Sequence, residues 1–191
     1  MGIPQSDIQK YLPQYLSDDA KNALKNSLDG FPDNLEKMIM PEDIFNEHKP
    51  KLLQSDIVEC KNIYDGRNAK VMIISNSCDN SSENERNFPI CVSFVVILSL
   101  EKMKRTFKEN GKDEQSINSQ IDAIKKQRVT NMFYLPNDTV ALLDRTMHLD
   151  YSKFSEAIIN KIASLSNYGF YAFLFKLSYH FTRLREGTQR G

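Results

Sequence analysis

Residues 90–100 form the longest apolar run in the chain, eleven positions broken only by Ser93 and Ser99. A helix that crosses a membrane needs about twenty such residues. The run is rich in Val and Ile, the composition of a strand covered on both faces. Shorter segments of the same character surround it, at residues 57–58, 71–74, 132–135, 139–143 and 146–149. Asp65-Gly66 and Pro136-Asn137-Asp138 are turn signals between such segments. Short strands joined by tight turns pair with antiparallel neighbours, because parallel pairing needs long crossovers.

Helical patterns flank and interrupt these strands. Ser6 and Ser17 are N-cap candidates for two short helices over residues 6–29, ended by Gly30 and Pro32. Residues 101–128 read as a charged helical insertion with one thin apolar edge at Ile117, Ile121 and Ile124, an excursion from the core. A short helix is expected over residues 152–160. The last helix begins after Ser166, with Phe170, Phe173, Leu174, Leu177, Phe181 and Leu184 as its apolar stripe. The expected fold is therefore α+β, with a small, strongly curved antiparallel sheet in a single domain. Residues 1–50 form an N-terminal helical extension packed on the core, and residues 51–191 the sheet-containing part.

With 191 residues, 40% hydrophobic and 26% charged, the chain is globular and large enough for one core. Twenty-five basic residues balance twenty-five acidic ones, which excludes an indiscriminate polyanion binder. The balance conceals an asymmetry. Residues 1–60 hold six Lys and eleven Asp or Glu, a net of −5, while residues 176–191 hold four basic residues against Glu186, a net of +3. Cys60, Cys78 and Cys91 are odd in number and form no CxxC pair, which argues against a zinc site or a disulfide framework. Free thiols and the lack of a signal-peptide pattern at the start lead to the expectation of a cytoplasmic protein without a membrane partner. No phosphate-binding glycine loop or HExxH pattern is present, so no cofactor and no metal are expected.

Candidate chemistry concentrates in three places. Ser75-Asn76-Ser77-Cys78-Asp79 follows a buried strand, and its side chains offer a nucleophile (Ser75, Ser77 or Cys78) with Asp79 as base or orienter. The same residue types build tight turns, in which Ser and Asp accept hydrogen bonds from loop N–H groups. Asp144-Arg145 reads as a substrate-contacting pair or as a hairpin turn. Lys176, His180 and Arg183 stand at i, i+4 and i+7 of the last helix and share a face that could grip phosphates or simply be solvated. His148 alternates with Met147 and Leu149 and is expected to face solvent or a groove.

The blocks Leu53-Gln54-Ser55-Asp56-Ile57-Val58, Ile74-Ser75-Asn76-Ser77-Cys78-Asp79, Phe133-Tyr134-Leu135-Pro136 and Ile162-Ala163-Ser164-Leu165-Ser166, the last continuing to His180-Phe181-Thr182-Arg183, resemble an uncharacterised bacterial family. That resemblance implies a domain and no activity. At a coarser level the order of elements resembles the MazF/PemK toxins, small SH3-like barrels that cut RNA. The similarity lies in the Asp-Ile-Val opening strand, the second strand ending in Ile-Ile-Ser, the long third strand, a late strand containing an Arg and a Leu-Asp pair, and a C-terminal helix. The toxins carry an Arg-Pro pair before the second strand, where this chain reads Arg67-Asn68-Ala69-Lys70. The resemblance implies an SH3-like barrel in which Arg67 or Lys70 stabilises phosphate charge and Arg145 or the 75–79 loop completes the site. Two functions follow as expectations. One is a non-catalytic interaction module of a bacterial or phage system, with a protein partner and a homodimer as its candidate assembly. The other is a toxin-type RNA endonuclease, with RNA as partner.

Overall fold

The computed structural model describes residues 34–80 and 87–182. The helices expected over residues 6–29 lie outside them, as do Arg183 and Leu184. The strands are β1 (Ile57–Tyr64), β2 (Arg67–Ile73), β3 (Cys91–Ser99), β4 (Met132–Leu135), β5 (Thr139–Asp150) and β6 (Ile158–Ala163). The helices are α1 (Glu42–His48), α2 (Leu100–Glu109), α3 (Glu114–Lys125), α4 (Tyr151–Ala157) and α5 (Asn167–Thr182), with a 3-10 turn at Leu35–Lys37. Every strand pairing is antiparallel, in the order β4-β5-β3-β2-β1-β6. The fold is α+β around a small curved sheet. The sheet ends in two edges, β4 and β6, that do not pair with each other, so it is open where a barrel would be closed.

Local chemistry accounts for most of this. Asp65 (φ 49°) and Gly66 (φ 68°) are both left-handed, which is the two-residue turn that matches strand twist and closes β1 onto β2. Residues 139–149, expected as two strands, are one strand with a large bulge. Between the pairs Ile97↔Ala141 and Val95↔Thr146, β5 advances five positions while β3 advances two. Asp144 and Arg145 lie in that bulge rather than in a hairpin turn. The extra residues bend the sheet. The helix expected over residues 152–160 stops at Ala157, and the chain continues directly into β6 on the far side of β1.

Both faces of the sheet are covered. On one, α5 packs through Ala172 and Phe173 onto Ile57, Met72, Val95, Ile97, Phe133 and Leu143. Ser166 caps α5 as expected, its Oγ accepting from Gly169 N (3.2 Å). On the other face α4 buries Phe154 against Val58, Val71, Ile73, Val92 and Phe94. The segment 101–128 is two helices, and it is not an excursion. Met103, Ile117, Ile121 and Ile124 are buried against Tyr134, Val140 and Leu142, a third apolar cluster over the β4–β5 end.

Gln127 ties this cluster to the rest. Arg128 N donates to Ala123 O and Gln127 N to Ile124 O, the pattern that ends a helix with a left-handed residue. Glycine is usual at that position, but Gln127 occupies it with φ 55°. Its side chain supplies the reason. The amide donates to Tyr134 O (2.6 Å) and accepts from Tyr134 N (3.1 Å), so it pairs with the outer edge of β4 as a further strand would.

Candidate functional site

The loop after β2 holds itself and its neighbours in place with the side chains that could have reacted. Ser75 Oγ donates to Asn80 Oδ1 (2.7 Å) and accepts from Ser93 N (3.1 Å). Ser77 Oγ accepts from Gln54 N (2.8 Å), while Gln54 Nε2 donates to Ile74 O (2.7 Å). Asn76 Oδ1 accepts from Cys78 N (2.9 Å), the turn in which an Asn side chain mimics backbone. These bonds stitch residues 53–55, the loop and β3 together. Cys78 and Asp79 are exposed.

Beside this loop lies a cleft of about 630 Å³, whose lining includes Ser75, Asp79, Phe88, Cys91 and Ser93. The register of β3 and β5 adds two groups. Ser93 lies opposite His148 and Cys91 opposite Asp150, so all four side chains leave the same sheet face, with directly opposed pairs about 5 Å apart at Cβ. His148 is exposed, as its alternation predicts. The fold thus brings a histidine next to the loop from far along the chain, but no hydrogen bond joins His148 to Ser93 or Cys91. Of the thiols, Cys60 is buried, which together with Glu59 pushes it up to about 11.

Arg67 and Arg145 come together elsewhere. Arg145 Nη1 donates to Tyr64 Oη (3.2 Å), and Tyr64 is the cross-strand partner of Arg67. Tyr64, Arg67 and Arg145 therefore form one exposed or half-exposed group at the β1–β2 turn. Lys70 pairs with Glu59 further along the hairpin. The 75–79 loop starts eight residues beyond Arg67 at the opposite end of β2, about 25 Å away along an extended strand. Arg67 and the loop lie at opposite ends of β2.

The expected basic face of the last helix does not assemble as the spacing suggests. Lys176 is buried at 2% exposure, facing the interior beside Phe173, and its Nζ donates to Gln127 O. Burial pushes its ammonium down to about 8. His180 is half-buried, its ring 4.9 Å from that of Phe181. Arg183 lies outside the described residues.

A charged pair that the sequence did not single out sits at the β6 side. Asp56 and Lys161 are bonded at 2.7 Å with side chains 0% and 7% exposed. Lys161 Nζ also donates to His48 O (3.1 Å) and Lys51 O (2.8 Å), and it stands 5.6 Å from the Phe45 ring centre. Asp56 Oδ2 accepts in addition from Leu53 N (2.7 Å). Burial pushes the Asp56 carboxyl above its ordinary value, against the opposing pull of Lys161, the Leu53 N–H and Ser164. Asp56 was legible only as part of the opening strand, and nothing in its own neighbourhood points to Lys161.

No group of three or more His, Cys, Asp or Glu among the described residues is placed to hold a metal ion. No described helix is long and apolar enough to cross a membrane. No family model, curated protein or solved structure matches the chain.

Proposed function

We propose that the chain is a non-catalytic protein-interaction module that docks a protein partner along β6. The supporting observation is that the two edges of the sheet are treated differently. The backbone of β4 at Tyr134 is closed by the Gln127 amide. On β6 the register shifts twice against β1, and the two residues at the shifts, Ile159 and Ile162, stand 52% and 36% exposed. An edge strand with outward apolar side chains is a common attachment line for another chain. The serines of the 75–79 loop, which a catalytic use of that loop would need, are occupied in holding it.

A photoreactive residue placed at Ile159 in the intact chain is expected to give one discrete protein adduct in cells, and the same residue at exposed Lys104 none. Ile162→Glu places a charge in the interface and should weaken capture roughly thirtyfold, the effect of losing about 2 kcal/mol at an interface hot spot. Equal adduct patterns from positions 159 and 104 would refute the docking line.

The second reading, a toxin-type RNA endonuclease, draws on the grouping of Arg67, Tyr64 and Arg145. Two guanidinium groups beside a phenol suit a phosphodiester whose charge rises during transfer. On this reading the protein cuts single-stranded RNA without added metal. Arg67→Ala or Arg145→Ala then slows cleavage about a hundredfold, as loss of one such donor does. Intact RNA after prolonged incubation removes the reading.

A further inference from the structure

The two buried lysines are held in opposite ways. Lys176 belongs to α5 and is 2% exposed, with the backbone carbonyl of Gln127 as its partner. Lys161 is covered from outside by a short segment, and every group it reaches there is on that segment or at its end. α1 buries none of its own residues. The chain on either side of it is fixed. Before α1, Met38 is fully buried, Met40 N donates to Ser164 O (2.9 Å) and Ile39 bridges to Leu165. After it, Ser55 N donates to Ile73 O (2.8 Å) and Ile73 N to Asp56 O (3.0 Å). Between these anchors, Pro41 and Pro50 bracket the helix. From Leu52 onward the chain is held again, by packing of Leu52 on the Val58 and Phe94 cluster and by the Leu53 N bond to Asp56 Oδ2. Among the described residues, the contacts that hold residues 41–51 down are the two carbonyl bonds from Lys161 and the stacking of its ammonium on Phe45.

We infer that residues 41–51 form a strap that opens and closes over the centre of β6, with Lys161 as its catch, while the sheet stays folded. A segment with no buried side chain between two firm anchors has little to lose by opening locally, whereas the anchors and the sheet open only with the whole domain. Opening bares Lys161 between Ile159 and Ile162, so the strap regulates the docking line. Only this consequence rests on the interaction reading; the opening itself does not.

Acetylation of the native protein with an N-hydroxysuccinimide ester, followed residue by residue by mass spectrometry, separates the two lysines. Exposed Lys102 and Lys153 should react first. Lys161 should follow, at least ten times faster than Lys176, because one needs the strap to open and the other needs the core to open. Phe45→Ala removes the stacking contact and should speed Lys161 about fivefold while leaving Lys176 unchanged. A single common rate for Lys161 and Lys176, or equal acceleration of both by Phe45→Ala, overturns the inference. The wild-type comparison stands alone even where the variant fails to fold. The photo-adduct at position 159 is read separately, so loss of the docking line and loss of the strap give different results.

Discussion

Replacing residues 101–128 with a short Gly-Ser linker is expected to abolish the cooperative thermal transition of the domain. The replacement removes Met103, Ile117, Ile121 and Ile124, all buried, and strips the cover from Tyr134, Val140 and Leu142. Burial of one such side chain contributes about 1.5–3 kcal/mol, so the four that leave account for about 6–12 kcal/mol. A domain has about 5–15 kcal/mol in total. The replacement also deletes Gln127, leaving the Tyr134 N–H and C=O without their partner and Lys176 Nζ without its carbonyl. Leu100 N still reaches Asp138 O, but one turn contact does not hold a bare sheet end. Melting followed by circular dichroism checks this. A transition retained within a few degrees of the parent would show that the third cluster is dispensable.

Gly169→Ala sets two effects of opposite sign against each other. Alanine is the better helix former by about 1 kcal/mol, so propensity alone makes the variant more stable. The added Cβ, however, would stand 2.2 Å from Met38 O and 3.0 Å from Met38 C and Cα. Those are backbone atoms, and the surrounding bonds keep them from yielding. Ser166 N donates to Met38 O (2.9 Å), Ser166 Oγ donates to Lys37 O, and Gly169 N donates back to Ser166 Oγ. Overpacking of this kind costs about 3 kcal/mol, which exceeds the propensity gain. The expected result is a net loss of about 2 kcal/mol in denaturant unfolding, on the same scale. A variant more stable than the parent would mean that the 38–40 segment does not pack against α5.

Where the sequence could be read, the signals were local. Asp65-Gly66 can make its turn because both residues accept left-handed backbone, and that property travels with the dipeptide. Residues 91–99 were legible as a strand because a β-branched run has few alternatives. β6 was not legible. Ile158-Ile159-Asn160-Lys161-Ile162-Ala163 does not alternate cleanly, because the register shifts at Ile159 and Ile162 interrupt the period of two. The apolar edge of residues 101–128 is visible in the sequence, but its depth is not. Ile117, Ile121 and Ile124 look thin on an isolated helix and become buried once α2 and the β4–β5 hairpin close around them.

The candidate sites divide in the same way. Residue types at the 75–79 loop indicated hydrogen-bonding capacity correctly, yet whether Ser75 and Ser77 stay available depended on Asn80, Ser93 and Gln54. The MazF/PemK resemblance put Arg67 and Arg145 in one site; Tyr64, the cross-strand partner of Arg67 and 81 positions from Arg145, is bonded to Arg145. Lys176 shows the limit most plainly. Helical spacing put it on a shared face with His180, and spacing says nothing about what covers that face.

The α+β class, the antiparallel pairing, the central strand β3 and the capped terminal helix α5 are all written in local sequence. Each follows from the geometry of a few consecutive residues, and no distant contact can easily reverse it. The bulge of β5 at Asp144-Arg145, the place of β6 at the edge of an open sheet and the identity of the buried charges come from long-range packing. Lys176 meets its carbonyl 49 positions away, and Lys161 meets those of Lys51 and His48 110 and 113 positions away. A charged side chain enters the interior only where such partners converge on it, because unpaired it would lose far more in hydration than its packing returns.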